Sequence, residues 1–239
     1  MQNKPQLFCF TYAGGNTTFF DEIENDLEGF EVVKLEYSGH GSRHKEALYQ
    51  NFSELADDMY SLIKKNYSGG DYALFGYSMG TISLVEVLIR ITERKEISFP
   101  RYVFLAAHEP KTKMELAGFS QGEQDEKVKE RTIRFGAVPE RLINNKSFWR
   151  MYLPLYRADY SLIGKYRFEE LSFTSDIPAV VFYSESDTKR TDMEQWNKIF
   201  IGNCYLKEFT GNHFFIHEYH GEMAEIIRKA LAERKNYDI

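Results

Sequence analysis

Cysteine, proline and long apolar stretches are scarce in this chain, and each shortage closes off a class of protein. Two cysteines, Cys9 and Cys204, cannot build a disulfide framework. Each falls inside a run that reads as a core strand, where a buried, reduced thiol is the expected state. Six prolines are spread over 239 residues with no Pro/Ser tract, internal repeat or low-complexity segment, so nothing marks a linker between domains. No apolar run approaches the roughly 18 residues that a membrane helix needs. The N-terminus enters Leu7-Phe8-Cys9-Phe10 without a basic region followed by a cleavable apolar core. The expectation is a cytoplasmic protein with no membrane partner. Positive charge is in deficit as well: 30 Lys/Arg face 36 Asp/Glu, a net charge of −6, and no glycine-rich phosphate loop occurs. Both observations argue against a nucleic-acid partner.

A metal site is also not expected. His213, His217 and His220, with Glu218 among them, could share a helix face. The zinc signature His-Glu-x-x-His is absent, because His217-Glu218-Tyr219-His220 is one residue short. His217 and His220 therefore read as surface or helix-end residues.

What the chain has in quantity is material for one large core: 43% hydrophobic and 15% aromatic residues. Apolar strand-like runs at Leu7 to Tyr12, Glu31 to Tyr37, Tyr72 to Phe75, Tyr102 to Ala106, Ala179 to Tyr183 and Cys204 to Phe209 alternate mostly with helical patterns, among them Ser53 to Lys65, Thr81 to Ile91 and Glu222 to Arg234. That rhythm predicts an α/β fold with a mainly parallel, doubly wound sheet in a single domain over 1–239.

The chemistry is concentrated at Gly76-Tyr77-Ser78-Met79-Gly80, between an apolar strand and a helical stretch. A serine in so tight a strand-to-helix turn presents its hydroxyl at the top of the sheet, and the flanking glycines are required because a larger side chain would collide with strand or helix. Ser78 is the candidate nucleophile. The backbone NH of Met79, at a helix N-terminus, is a candidate oxyanion donor. Two partners follow in the order that the α/β-hydrolase architecture requires: an acid, then a histidine. Asp187 lies in the loop after the strand Ala179 to Tyr183, and His213 lies in the turn after Cys204 to Phe209. Imidazole would take the serine proton, the carboxylate would fix its tautomer, and serine would carry an acyl group that water later removes. Glu109, three residues past the strand Tyr102 to Ala106, is the alternative acid. This mechanism calls for no cofactor. The turn Ala13-Gly14-Gly15 is poor in side chains and lets the backbone approach a substrate carbonyl.

Several segments together resemble the type II (editing) thioesterases that accompany polyketide synthases and nonribosomal peptide synthetases, within the α/β-hydrolase superfamily. Phe8-Cys9-Phe10-Thr11-Tyr12-Ala13-Gly14-Gly15 resembles the family's Phe-Pro-x-Ala-Gly-Gly, and Tyr37-Ser38-Gly39-His40-Gly41 its Pro-Gly-x-Gly loop. Gly211-Asn212-His213-Phe214-Phe215 is similar to Gly-Gly-His-Phe-Phe. The most discriminating segment is Leu153-Pro154-Leu155-Tyr156-Arg157-Ala158-Asp159, similar to Leu-Pro-x-x-Arg-Ala-Asp. Thr11, Tyr77 and Asn212 replace the family's usual proline, histidine and second glycine. None of the three removes a catalytic atom.

The resemblance implies a second oxyanion donor at the backbone NH of Ala13, substrate contacts at Tyr12, Gly14 and Tyr77, and a helical lid insertion at about 110–168, where the strand-helix rhythm breaks. It also implies a monomer that acts on acyl or peptidyl carrier proteins bearing a phosphopantetheine thioester. Charge fits such a partner. From Lys111 to Arg167 the chain carries 12 Lys/Arg against 7 Asp/Glu, a net of +5 that leaves −11 on the remainder. A basic insertion would steer an acidic carrier toward Ser78, through exposed cations such as Lys127, Lys129 and Arg131. Met151, Leu153, Leu155 and Tyr156 would either line an acyl channel or pack the lid onto the core.

Overall fold

Successive side chains of a strand point to opposite faces, so a strand covered by helices on both sides must be apolar nearly throughout. In this computed structural model, which describes residues 4–111 and 121–232, four strands meet that condition. Every residue of β1 (Gln6–Phe10), β3 (Tyr72–Tyr77), β4 (Tyr102–Ala106) and β5 (Ala179–Ser184) is buried. β2 (Glu31–Leu35) and β6 (Cys204–Phe209) are more open and form the two edges. The six strands are all parallel, in the order β2-β1-β3-β4-β5-β6.

The period of two sorts the core into two layers. Phe8, Phe10, Leu74, Val103, Leu105 and Val181 face α2 (Phe52–Asn66) and α3 (Met79–Arg94). Leu7, Cys9, Phe75, Phe104, Val180 and Phe182 face α1 (Asp21–Asp26) and α7 (Ile216–Ala232). Phe104 and Phe182 stack with ring centroids 6.1 Å apart at the centre of the second layer. Each buried phenyl ring contributes roughly 1.5–3 kcal/mol through removal from water. Burial also pushes the Cys9 thiol well above its ordinary range, and both cysteines are free.

From β1 the chain steps outward to β2, then crosses back to β3 and continues in the opposite direction. A sheet wound both ways opens a crevice at the carboxyl ends of its strands, and the segments after β1, β3, β4, β5 and β6 meet there. The connection from β4 to β5 is the long one. It holds α4 (Gln121–Phe135), a single tight turn at Glu140–Leu142, and α5 (Lys146–Lys165), which packs against α4. The short helix α6 (Arg190–Met193) follows β5. Among the described residues no helix is long and apolar enough to cross a membrane.

All six expected strands and the expected helices are present, with displaced ends. β1 stops at Phe10 rather than Tyr12, because Tyr12 opens a turn closed by the Gly15 amide on the Tyr12 carbonyl at 3.0 Å. β2 stops at Leu35, and β3 runs on to Tyr77, directly into the serine. The last helix begins at Ile216 rather than Glu222, with a kink at Tyr219. Its expected end at Arg234 and the start of the expected insertion, 112–120, lie outside the described residues.

Candidate active site

Ser78 sits at φ 53° and ψ −118°, a strained conformation for a residue with a side chain. Two close backbone approaches hold it there. A Cβ on Gly76 would land on the backbone of Gly80 and Thr81, and one on Gly80 on the backbone of Phe10 and Thr11. Only glycine fits either place. The Ser78 amide donates to the Ala106 carbonyl of β4 at 2.8 Å, and the Ser78 carbonyl receives the Thr81 amide at 3.0 Å and hydroxyl at 2.8 Å. Met79, the first residue of α3, follows.

The other two residues arrive from β5 and β6. The Asp187 and Thr188 amides both donate to the Ser184 carbonyl at 2.9 Å, and the Ser184 hydroxyl donates to the Gly211 carbonyl at 2.6 Å, pinning the acid loop to the histidine turn. Asn212 caps that turn by accepting the Phe214 amide at 2.8 Å. His213 Nδ1 lies 2.8 Å from Asp187 Oδ2, and its Nε2 lies 3.0 Å from Ser78 Oγ. An ionised carboxylate only accepts, so Nδ1 carries the proton and the Nε2 lone pair faces the serine hydroxyl. The imidazole and carboxylate are 7% and 5% exposed, and a site this dry strengthens their interaction relative to water. Phe135 of α4 stacks on the imidazole at 4.5 Å and Phe214 meets it edge-on at 5.2 Å.

Ser78 and His213 open on a cavity whose empty volume, its open mouth included, is about 520 Å³. Tyr12 and Ala13 line it from the β1 turn, Arg131, Phe135 and Ala137 from the α4 region, and Tyr160 and Ile163 from α5. Glu109 is on the same wall, but Asp187 is the residue on His213 Nδ1.

Three expectations need correction. Tyr77 is not on the cavity wall. It is fully buried and donates its hydroxyl to the His213 carbonyl at 2.7 Å, so this residue at the family's usual histidine position braces the turn that carries His213. Gly14 is turned away as well, because its amide donates to Asp159 Oδ2 at 2.6 Å and the Tyr156 ring covers its Cα. Arg131 is not an exposed docking cation. Its guanidinium stands over the Tyr160 ring at 4.7 Å and the Phe135 ring at 5.5 Å, and burial pulls its pKa down. Lys127 and Lys129 are half-buried, and Lys129 pairs with Glu126 at 2.7 Å. Met151, Leu153, Leu155 and Tyr156 are not on the cavity wall. Met151 is 72% exposed, while Leu153 and Tyr156 pack on the core. His217 pairs with Glu22 of α1 at 2.7 Å and His220 with Asp26, and the described residues contain no cluster that could hold a metal.

A parallel doubly wound sheet with a serine at a strained strand-to-helix turn and a histidine-carboxylate pair beside it defines an α/β-hydrolase. Residues 5–231 match the model of the thioesterase domain, and the chain belongs to that family. It is 25% identical over 221 residues to the medium-chain S-acyl fatty acid synthase thioesterase of Homo sapiens, covering 88% of this chain and 80% of the relative. It is also 25% identical over 236 residues to the gramicidin S biosynthesis protein GrsT of Aneurinibacillus migulanus, covering 95% and 89%. The crystal structure of ClbQ from the colibactin NRPS/PKS pathway superposes with a TM-score of 0.85 at 23% identity, over 96% of this chain and 98% of that one. The resemblance read from the motifs is borne out, and the protein is a thioester hydrolase.

Proposed function

We propose that the protein is a stand-alone, monomeric type II thioesterase that hydrolyses misloaded or stalled acyl groups from the phosphopantetheine arm of a carrier protein. The observation that carries the chemistry is the Asp187-His213-Ser78 relay, at 2.8 and 3.0 Å. His213 Nε2 takes the hydroxyl proton as Ser78 Oγ attacks the thioester carbonyl, and Asp187 stabilises the imidazolium. The backbone amides of Ala13 and Met79 receive the oxyanion. As the carbon-sulfur bond breaks, His213 returns its proton to the departing thiol. A water deprotonated by His213 then attacks the acyl-serine, and the acid leaves as Ser78 recovers its proton. In this reading α4 and α5 form the lid of a single domain over 1–239.

Two observations support the carrier as substrate: the relatives from gramicidin S and colibactin biosynthesis, and the +5 surplus of the insertion on a chain of net −6. The fatty acid synthase relatives favour a second reading, release of medium-chain fatty acids. Against it stand His108, Glu109 and Arg131 in the cavity wall, polar lining that an extended alkyl chain would leave without solvent. A panel of acyl-loaded carrier proteins and matching small thioesters, from acetyl to dodecanoyl, tests both. Carrier-bound short acyl groups should give the highest kcat/KM. A maximum at medium chain lengths, or on small esters regardless of carrier, would overturn the proposal.

A further inference from the structure

The turn that offers the Ala13 amide is not built by β1 alone. Helix α5, 145 residues further along the chain, grips it at two points. Tyr156 lays its ring so closely against Gly14 that a Cβ there would stand 2.1 Å from a ring carbon, and Gly14 holds φ +77°. One helical turn on, Asp159 Oδ2 accepts the Gly14 amide at 2.6 Å. The same oxygen lies 2.9 Å from His40 Nε2, and His40 Nδ1 lies 3.0 Å from the Ser38 carbonyl. A carbonyl oxygen only accepts, so Nδ1 donates to Ser38. The Nε2 contact with Asp159 is then satisfied by a proton shared between imidazole and carboxylate. His40 and Asp159 are 1% and 3% exposed, and a buried carboxylate persists only when so partnered. Beside them, Tyr37 places its hydroxyl 3.2 Å from the Thr11 carbonyl, one residue before the turn.

We propose that Asp159, seated by His40, is a positioning residue that sets the Tyr12–Gly15 turn and thereby aims the Ala13 amide at the oxyanion. Catalytic competence is thus tied to the seating of α5 on the turn. The inference rests on the reading of Ala13 as an oxyanion donor and assigns the task of holding it to two side chains that touch no substrate.

The pair also carries a pH dependence. Burial lowers the His40 pKa, but attraction to Asp159, the hydrogen bonds to Asp159 and the Ser38 carbonyl, and Glu36 outweigh it, so the net shift is upward from the ordinary 6.5. Tyr37, Tyr156 and Tyr160 are the other titratable groups facing the pair. A histidine raised on folding is fully paired below its unfolded pKa, and the pairing is lost as pH rises through the folded value. Positioning should fail on the alkaline side.

The test is steady-state turnover of a small acyl thioester by wild type, Asp159→Ala, Asp159→Asn, His40→Gln and Ser78→Ala. It is paired with inhibition by a trifluoromethyl ketone, which forms a tetrahedral oxyanion on the serine. Asp159→Ala should lose about 10- to 100-fold in kcat with KM little changed, since one misdirected oxyanion donor costs at most about 10²–10³-fold. Affinity for the ketone should fall by the same factor. Asp159→Asn, which keeps an acceptor for the Gly14 amide, should lose less than 10-fold, and with His40→Gln it should abolish the alkaline fall in kcat. Unchanged kcat and ketone affinity in a folded Asp159→Ala would overturn the proposal, as would an unchanged alkaline limb in Asp159→Asn and His40→Gln. Full turnover in Ser78→Ala would instead overturn the reading of the site itself, so the two failures are separable.

Discussion

The sheet and the insertion between β4 and β5 are built on opposite terms. β3, β4 and β5 are buried at every position, and Phe104 on β4 lies between Phe75 and Phe182 with no side open to solvent. Helix α4 shows solvent most of its length and buries Val128 and Thr132, while Arg131 and Phe135 reach inward to the cavity. The sheet fixes where Ser78, Asp187 and His213 stand, because each follows the carboxyl end of a strand whose register allows no slip. The insertion supplies much of the wall around them, through Arg131, Phe135, Tyr160 and Ile163. The difference teaches that the reacting groups and most of the wall around them come from separate parts of the chain, with Asp159 of α5 the point where the insertion bears on reactivity, and most substitutions should divide along the same line.

The largest effect should come at the strand end. Ser78→Ala should lower kcat by about 10³-fold or more, down to the residue supplied by binding and the oxyanion donors. Asp187→Asn should lose a comparable factor, because an amide on Nδ1 allows the wrong imidazole tautomer. Circular dichroism and the melting temperature of both should stay near wild type. Normal turnover in Asp187→Asn with a crippled Glu109→Gln would move the acid to β4 and break the assignment of reactivity to the β5 loop.

Next comes a contrast in stability. Phe104→Ala removes a ring from the closed layer and should cost about 3–5 kcal/mol, a large part of the roughly 5–15 kcal/mol that holds a domain together. Met151→Ala on α5, where the side chain is 72% exposed, should stay within about 0.5 kcal/mol. Urea unfolding of the two variants reads both. Similar losses would mean that α5 is as much a part of the cooperative core as β4.

The same division governs what the amino-acid order reveals by itself. The strands are legible because double burial forces near-continuous apolar runs. Ser78, Asp187 and His213 are legible because each sits just past such a run, in the order that the architecture requires. The insertion is less so. That Arg131 turns inward could not be read from a helix rich in charge, since Lys127, Lys129 and Arg131 look alike in sequence and only the aromatic rings of Phe135 and Tyr160 separate them. Tyr77 precedes the serine in the sequence, but the direction of its side chain, to the His213 carbonyl, depends on the turn after β6. The His40-Asp159 pair spans 119 residues, and no local pattern announces it.

The smallest effect should come from the outer face of the insertion. With Arg131 turned inward and Lys129 paired, the exposed cations best placed to meet an acidic partner are Arg141, Lys146 and Arg150, in and around the start of α5. Reversing all three to glutamate should lower kcat/KM for a carrier-bound acyl group severalfold, mainly through slower association. The loss should shrink as salt rises, since exposed charges are screened over roughly 8 Å at physiological ionic strength. A small free thioester reaches Ser78 without docking, so its turnover should hardly change. An equal loss on both substrates would show that these residues support the packing of α5. No loss on either would leave the +5 surplus as a solvated surface and return the choice of substrate to the cavity wall alone.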